Sequence, residues 1–306
     1  MIQLRRILCP IDLSPISGHA LDHAAALAHR YAATLTLLHV RDLARPALPP
    51  AAASGAARTG LATMAAHVEP AASVQLRELM RPALRSGVSV DFVEDEGDPA
   101  ACIVERARES DLVVMATHGR EGLKRFMLGS VASRVLHDVD RPLLTVPPPC
   151  HKPPAAPFSR IVCAVDFSEV SLFALEYALS LALEMRAYLT LLHVAEAEVA
   201  EDLGGPRPFS APEQALDRLH QLHKRLAALV PEQARDRSAP ETQVREGRPE
   251  AAILAAAADL DVNLIVMGAR GRRVLGALLG STTDSVVRHA TCPVLTVGHP
   301  HPRRTG

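Results

Sequence analysis

Apolar residues recur along the chain in two alternating patterns. Some runs are apolar at almost every position, as in ILCPI at Ile7–Ile11, which is typical of strands buried on both faces of a sheet. Between such runs, apolar residues return at helical spacing, as Ile16, Ala20, Ala24 and Leu27 do. Strands that alternate with amphipathic helices predict an α/β fold, in which helices cover both faces of a parallel sheet through right-handed crossovers.

The same pattern is written twice. ILCPID at Ile7–Asp12 returns as IVCAVD at Ile161–Asp166, 154 residues later. LTLLHV ends at Val40 and again at Val194, with the same offset of 154 residues. Two further strands follow in the same order, LVVM and PLLTV in the first copy and LIVM and PVLTV in the second. Four matched strands in one order indicate a duplicated domain.

A proline-rich segment separates the two copies. Pro147–Ser159 reads PPPCHKPPAAPFS, a composition that favours extended polyproline geometry and interrupts helices and sheets. The chain has 306 residues, and a domain takes roughly 150. We therefore predict two domains, residues 1–147 and 160–299, joined by this linker.

Capping residues and short apolar runs predict where further helices and strands of each copy begin and end. Ser14 and Ser168 each precede the first helix of a copy and are natural N-caps. A third strand is predicted at about Val88–Val93 in the first copy and at Thr242–Val244 in the second. A helix before that strand is clearest in the second copy, at about Pro212–Leu229.

Charge and composition exclude several function classes. Lys and Arg number 33 against 34 Asp and Glu, so no basic excess is available to neutralise nucleic-acid phosphates. Charged residues interrupt every long apolar stretch, and the amino terminus lacks a secretory apolar core, so we expect a cytoplasmic protein that binds no membrane. Five cysteines without paired spacing predict no disulfide framework, and Cys9 and Cys163 are expected to pack as small hydrophobes.

Four histidines lie at positions where metal binding or a structural hydrogen bond has to be considered. His19 and His23 lie four apart on the first helix, but no third ligand is placed beside them, so we expect solvated histidines and no metal site. His39 and His193 lie in the repeated LTLLHV strand, where a hydrogen-bonded, neutral imidazole is expected.

Each copy follows its fourth strand with a glycine loop and a new helix. The loops read ATHGREGLKRFMLGS from Ala116 and GARGRRVLGALLGS from Gly268, and each ends on a Gly-Ser pair. Glycines let a ligand approach the backbone closely, and the first amides of a helix carry partial positive charge, so this pattern suits phosphate. Parallel sheets bind ligands beyond the carboxyl ends of their strands, which places a site at these loops. Neither loop is a P-loop or a GxGxxG motif.

Together these motifs resemble the universal stress protein family in its tandem two-domain form. The resemblance rests on the strand-ending Asp12 and Asp166, the LTLLHV strands and the glycine loops, and it covers nearly the whole chain. The ATP-binding branch of that family carries Gly, two residues, Gly, nine residues, then Gly and Ser or Thr. The first copy has Ala116 at the first of these glycines, which would cost about 1 kcal/mol if that position needed a positive φ. The second copy has only eight residues before Gly280, which either shortens the loop harmlessly or misplaces the helix.

The resemblance implies a specific architecture. Each domain should have the doubly wound, Rossmann-like fold of the adenine nucleotide alpha hydrolase-like type, with a five-stranded parallel sheet in the order 3-2-1-4-5. The last strands, Leu143–Val146 and Val294–Val297, should pair across the two domains. The chains should form a homodimer.

The resemblance also implies a function: a regulatory protein of the stress response that binds ATP, with or without Mg²⁺, or another adenine nucleotide, and acts on an unidentified protein partner. Asp12 and Asp166 would contact the adenosine, the backbone at Val40 and Val194 the adenine edge, and the glycine loops the phosphates and ribose. The full set of candidate binding residues is Pro10, Asp12, Val40, Met115, Thr117, His118, Gly119, Gly129, Ser130, Val131, Asp166, Val194, Met267, Gly268, Arg270, Gly271, Gly280, Ser281 and Thr282.

Two alternative functions stay open. The departures from the signature favour a nucleotide-free interaction scaffold of the same fold, in which Asp12 and Asp166 only cap the following turn. A slow ATP hydrolase is the other alternative. We expect no dedicated enzyme, because the residues assemble no catalytic triad, no nucleophilic cysteine with a placed base and no paired carboxylates.

Overall fold

A computed structural model describes residues 2–42, 87–118, 128–148, 158–195, 212–232, 240–269 and 279–298. The chain forms two compact units, Gln3–Pro157 and Phe158–Gly306, the latter together with Met1–Ile2. We refer to them as the first unit and the second unit.

The first unit is built on a five-stranded parallel sheet. Its elements are β1 (Arg6–Ile11), α1 (Pro15–Tyr31), β2 (Thr34–Arg41), β3 (Val90–Glu96), α2 (Pro99–Ala107), β4 (Leu112–Ala116), α3 (Ser130–Asp138) and β5 (Leu143–Val146). The strands lie in the order β3-β2-β1-β4-β5, and each neighbouring pair is parallel. This confirms the predicted order 3-2-1-4-5.

The second unit repeats this architecture. Its elements are β6 (Arg160–Ala164), α4 (Glu169–Met185), β7 (Tyr188–Ala195), α5 (Pro212–Ala228), β8 (Glu241–Glu246), α6 (Pro249–Asp259), β9 (Leu264–Gly268), α7 (Ser281–His289) and β10 (Val294–Val297). The strand order is β8-β7-β6-β9-β10, with parallel neighbours throughout. The doubly wound fold therefore occurs twice.

The central strands form the core of each unit. Ile7, Cys9 and Val113 in the first unit and Val162 and Val266 in the second have no exposed surface. Helices cover such strands on both faces, which explains why their sequences are almost continuously apolar. Cys9 and Cys163 have no exposed surface, which confirms that they pack as hydrophobes. This burial raises the pKa of both thiols, that of Cys163 to about 12.

The outer strands extend beyond the predicted limits. β3 runs from Val90 to Glu96 and β8 from Glu241 to Glu246, whereas the apolar pattern ends earlier, at Val93 and Val244. Backbone pairing with β2 continues through acidic residues as far as Glu96. An edge strand is only half buried, so charged residues can join the ladder without burying their charge.

Serine caps start the first helix of each unit, as predicted. The Ser14 hydroxyl accepts a hydrogen bond from the Ser17 amide at 3.2 Å, and the Ser168 hydroxyl accepts one from the Ser171 amide at 3.2 Å. Helix α5 ends within one residue of its predicted limit. No helix within the described ranges has the length and apolar character needed to cross a membrane.

The prediction of a solvated His23 is wrong, because its side chain is only 4% exposed. His23 lies three residues after the buried Ala20 and four before the buried Leu27, so it belongs to the face of α1 that packs on the sheet. Burial and, to a smaller extent, the neighbouring His19 lower the pKa of His23 to about 4. The imidazole is therefore neutral near pH 7.

Candidate functional site

In each unit, the strand order reverses next to the first strand of that unit. The chain passes from β1 outward to β2 and β3, then returns to β4 on the other side of β1, and the second unit does the same around β6. Connections leave in opposite directions at this point, which opens a crevice at the carboxyl ends of the strands. The loops after β1 and β4, and after β6 and β9, border that crevice.

A carboxylate organises the loop after the first strand of each unit. Asp12 Oδ1 accepts a hydrogen bond from the Ser14 amide at 3.0 Å. Asp166 Oδ1 accepts one from the Ser168 amide at 3.0 Å and another from the Ser168 hydroxyl at 2.6 Å. Both aspartates thus cap the turn, which is compatible with a binding role because the same bonds hold the carboxylate in place.

The residue after each aspartate has a left-handed backbone. Leu13 has a φ of 63° and Phe167 a φ of 61°, values that side chains other than glycine rarely adopt. The same conformation in both units, held by the aspartate bonds, makes this turn a repeated feature of the fold. Left-handed residues also cap the ends of α1 and α4, at Ala32 and Arg186, but Leu13 and Phe167 lie in the turn that borders the crevice.

A histidine on the neighbouring strand joins each turn to the sheet. His39 Nδ1 donates to the Ile11 carbonyl at 3.0 Å, and His193 Nδ1 donates to the Val165 carbonyl at 2.7 Å. A carbonyl can only accept, so each ring carries a proton on Nδ1, and the predicted hydrogen bond of this histidine is present in both units. Val40 and Val194 follow directly in the chain and are half-buried.

The described residues on either side of each glycine loop are joined by the same backbone hydrogen bond in both units. The Gly129 amide donates to the Thr117 carbonyl at 2.8 Å, and the Gly280 amide donates to the Ala269 carbonyl at 3.0 Å. The second loop is one residue shorter, yet it closes on the equivalent strand-end residue. The shorter spacing therefore leaves the start of α7 in place.

The first glycine of the signature is not needed for backbone conformation. Ala116 and Gly268 are each the last residue of a strand, and neither has a positive φ. The penalty considered for Ala116 therefore does not apply. At Gly268, a Cβ atom would lie 3.1 Å from Val170 Cγ1 and 3.2 Å from the Ser171 amide nitrogen, so this glycine serves the packing of α4.

The helices after the loops begin at glycines. Gly129 and Gly280 are the N-caps of α3 and α7, and a glycine has no side chain with which to accept from the first-turn amides. Helix α3 carries no acidic residue in its first turn. Helix α7 carries Asp284 there, and Arg288 binds that carboxylate through two nitrogens at 2.7 and 2.9 Å.

Thr117 and His118, which follow β4 directly, form a polar pair. Thr117 is 2% exposed, and its hydroxyl lies 2.9 Å from His118 Nδ1. His118 Nε2 is buried, and it has no hydrogen-bond partner within the described ranges. The Thr117 hydroxyl also lies 3.5 Å from the Val146 carbonyl. When its proton points instead to His118 Nδ1, the histidine carries its own proton on Nε2 and can donate it to an anionic oxygen. The donor set at this loop thus fits a phosphate.

Most of the predicted binding residues that the structure describes lie at the carboxyl ends of the strands or in the segments that follow them. Gly119, Arg270 and Gly271 lie outside the described residues. Pro10, Met115 and Met267 are buried within strands, so only their backbone could reach a ligand. Ser130 and Ser281 are exposed, whereas Val131 and Thr282 are half-buried. Across the described ranges, no three His, Cys, Asp or Glu side chains are grouped to hold a metal ion.

Sequence reasoning missed two residues beside the second crevice. The Arg225 guanidinium stacks on the Phe167 ring, with Arg225 Cζ 4.0 Å from the ring centroid. An aromatic residue directly after the strand-ending aspartate was the available signal. Arg225 gave no signal, because it comes from helix α5 and meets the loop only in the folded chain.

Comparison with known proteins identifies related chains. The sequence model of the Universal stress protein family matches residues 3–147 and again residues 157–298. Universal stress protein YxiE of Bacillus subtilis is 34% identical over 146 residues, which cover 46% of this chain and 99% of that protein.

One solved structure shows the same fold over nearly the whole chain. The crystal structure of a universal stress protein from Archaeoglobus fulgidus matches 97% of this chain and 99% of its own, with a TM-score of 0.69 at 23% identity. A universal stress protein solved in complex with cAMP matches 46% of this chain and 96% of its own, with a TM-score of 0.31 at 26% identity.

Proposed function

Because the chain belongs to the universal stress protein family, we propose that it is a regulatory protein that binds ATP or another adenine nucleotide at the strand-end crevice. The observation that carries this proposal is the buried His118 Nε2, which has no partner within the described ranges and lies at the start of the glycine loop. A buried polar atom without a partner is costly, and an anionic ligand would satisfy it.

The residues of the first unit have distinct tasks in this proposal. The first-turn amides of α3 and His118 would hold the phosphates, where the partial positive charge of the helix start favours an anion. Asp12, fixed by its bond to the Ser14 amide, would meet the adenosine, and the backbone at Val40 would meet the adenine edge. Because the described residues provide no metal site of their own, any Mg²⁺ would arrive on the nucleotide phosphates.

Calorimetric titration of the full chain with ATP, ADP, cAMP and GTP tests the proposal. We expect adenine nucleotides to bind at millimolar concentration or below. Gly129→Asp should weaken ATP binding at least tenfold, because aspartate is a favourable N-cap that preserves α3 while placing a carboxylate against the phosphates. His137→Ala, at an exposed histidine of the same helix, is the matched control. If no nucleotide binds at millimolar concentration, the proposal fails.

A nucleotide-free scaffold is the second candidate function. It is favoured by the capping bonds of Asp12 and Asp166, which give both carboxylates a structural task in the turn. Capture of a regulatory protein partner by the wild-type chain and by Gly129→Asp separates the two candidates. Equal capture with and without nucleotide supports the scaffold, whereas capture that depends on ATP and is lost in the variant supports the nucleotide-binding regulator.

Three further expectations belong to the same proposal. The protein acts in the cytoplasm, forms a homodimer of tandem chains, and is no dedicated enzyme. Sedimentation at micromolar concentration tests the dimer, and fractionation of cells tests the location. Release of radiolabelled phosphate from ATP, with loss of that release in Asp12→Asn, would instead support the slow hydrolase.

A further inference from the structure

The first helix of each unit differs from its counterpart at two equivalent positions. On α1 these positions hold His19 and His23, and on α4, 154 residues later, they hold Phe173 and Tyr177. Residues four apart on a helix lie on the same side, one turn above the other. Phe173 and Tyr177 make an edge-to-face contact, with ring centroids 5.4 Å apart and planes at 84°. The first unit thus has two imidazoles where the second has two rings that stay uncharged in acid. We call His19 and His23 the imidazole pair.

The imidazole pair lies partly inside the first unit. His23 is only 4% exposed, and the buried Ala20, Ala24 and Leu27 show that its side of α1 packs on the sheet. His19 is half-buried, and its Nδ1 atom is buried with no hydrogen-bond partner within the described ranges. A proton bound by His23 would therefore place a positive charge among apolar side chains, which is costly.

The strands beneath α1 contribute no negative charge to this site. Helix α1 packs chiefly on β1, β2, β4 and β5. Strands β4 and β5 carry no titratable side chain, and the titratable or charged residues of β1 and β2 are Arg6, Cys9, His39 and Arg41. Arg6 is exposed, and Arg41 forms an ion pair with Glu94. The carboxylates that α1 could meet on these strands are thus absent.

The other titratable groups of α1 lie away from the imidazole pair. Asp22 adjoins His23, but consecutive residues of a helix point in different directions. The pKa of the Cys9 thiol, which burial raises, is raised further by Asp22, so this carboxylate acts on β1. His29 and Arg30 are exposed in the last turn, where Tyr31 is half-buried. Burial first and His19 second lower the pKa of His23 to about 4.

The start of α1 is shared with the turn that borders the crevice. The Ser14 hydroxyl caps α1 by accepting from the Ser17 amide, and the Ser14 amide donates to Asp12. His19 follows within the next turn of the helix. A movement of α1 away from the sheet would therefore also release the turn that Asp12 organises.

We propose that the imidazole pair is an acid-sensitive switch: protonation of its rings in mildly acidic solution loosens α1 from the sheet and opens the first unit, while α4 keeps the second unit closed. In the open state the His23 ring is hydrated and binds a proton with its ordinary pKa of 6.5, so acid favours opening. The switch does not depend on which ligand the crevice binds, and it therefore goes beyond the proposed function.

Hydrogen exchange of the full chain, followed by mass spectrometry at pH 7 and pH 5 and corrected for the intrinsic exchange rate, tests this proposal. Protection of peptides from α1 should fall at least tenfold between these pH values, and protection of α4 less than twofold. His23→Gln keeps a neutral polar side chain and should hold the protection of α1 constant. His29→Ala, at an exposed histidine of the same helix, is the matched control and should leave the fall unchanged.

A reciprocal variant tests whether the pair is sufficient. Phe173→His combined with Tyr177→His installs the imidazole pair on α4 and should make α4 lose protection at pH 5. Constant protection of α1 in the wild type, or an equal fall in α1 and α4, would overturn the proposal. A fall that persists in His23→Gln would overturn it as well. If His23→Gln does not fold, the reciprocal variant decides: acid-sensitive α4 supports the switch, and unchanged α4 overturns it.

Discussion

The Thr117 hydroxyl lies 2.9 Å from His118 Nδ1, and this contact orients the imidazole where the glycine loop leaves β4. Thr117 is itself fixed, because its amide donates to the Val146 carbonyl at 3.0 Å and its carbonyl accepts from Gly129. The strand end, the helix start and the imidazole are thus linked through one residue. Such support keeps a ligand-binding donor in place before the ligand arrives.

This arrangement predicts that His118 distinguishes phosphates from the nucleoside. His118→Ala should weaken ATP binding by about ten- to a hundredfold, since a hydrogen bond to a charged group contributes about 1.5–3 kcal/mol. Adenosine, which has no phosphate, should lose less than twofold. Competition titrations of both ligands measure the ratio directly. An equal loss for ATP and adenosine would place His118 away from the phosphates.

The buried His23 predicts that acid destabilises the protein. Its pKa is lowered to about 4 in the folded chain, against an ordinary value of 6.5. The unfolded chain therefore binds the proton first, so the stabilisation present above pH 6.5 is lost as the pH falls toward 4, up to about 3 kcal/mol. Urea unfolding between pH 4.5 and 7.5 should show this fall in the free energy of unfolding.

A matched pair of variants isolates this effect. His23→Leu removes the titrating group from the buried face of α1 and should flatten the pH dependence. His220→Leu, at an exposed position of α5, should leave the slope as it is. Parallel curves for wild type and His23→Leu would show that other groups cause the acid sensitivity.

The architecture could be predicted from the sequence because it depends on features that recur. The duplicated strands and the serine caps are local patterns, and two copies of each reduce the chance of a false match. The order of the strands came from the resemblance to a family, since alternating strands and helices alone allow other orders. The carboxyl ends of β3 and β8 were predicted too early, because the charged residues there join the sheet through backbone bonds that leave no apolar pattern.

The details of the site were harder to predict, because they depend on contacts between distant segments. The burial of His23 follows from its place on the helix face, which residue type alone did not reveal. The contact of Arg225 with Phe167 joins a helix to a loop and leaves no spacing motif. The constraint at Gly268 could not be predicted for the same reason, because it comes from the approach of α4 and not from the φ of the glycine.

The strand-end position that differs between the units predicts unequal costs for two reciprocal substitutions. Gly268→Ala should destabilise the second unit by about 1–3 kcal/mol, because the added methyl meets backbone atoms of Val170 and Ser171 that cannot turn aside. Ala116→Gly removes a methyl that the first unit already accommodates, so it should cost only about 0.5–1 kcal/mol, from the greater freedom of the unfolded chain. Urea unfolding of both variants measures the two costs. If Gly268→Ala proves as mild as Ala116→Gly, the start of α4 must shift readily, and the tight packing at Gly268 does not constrain this strand end.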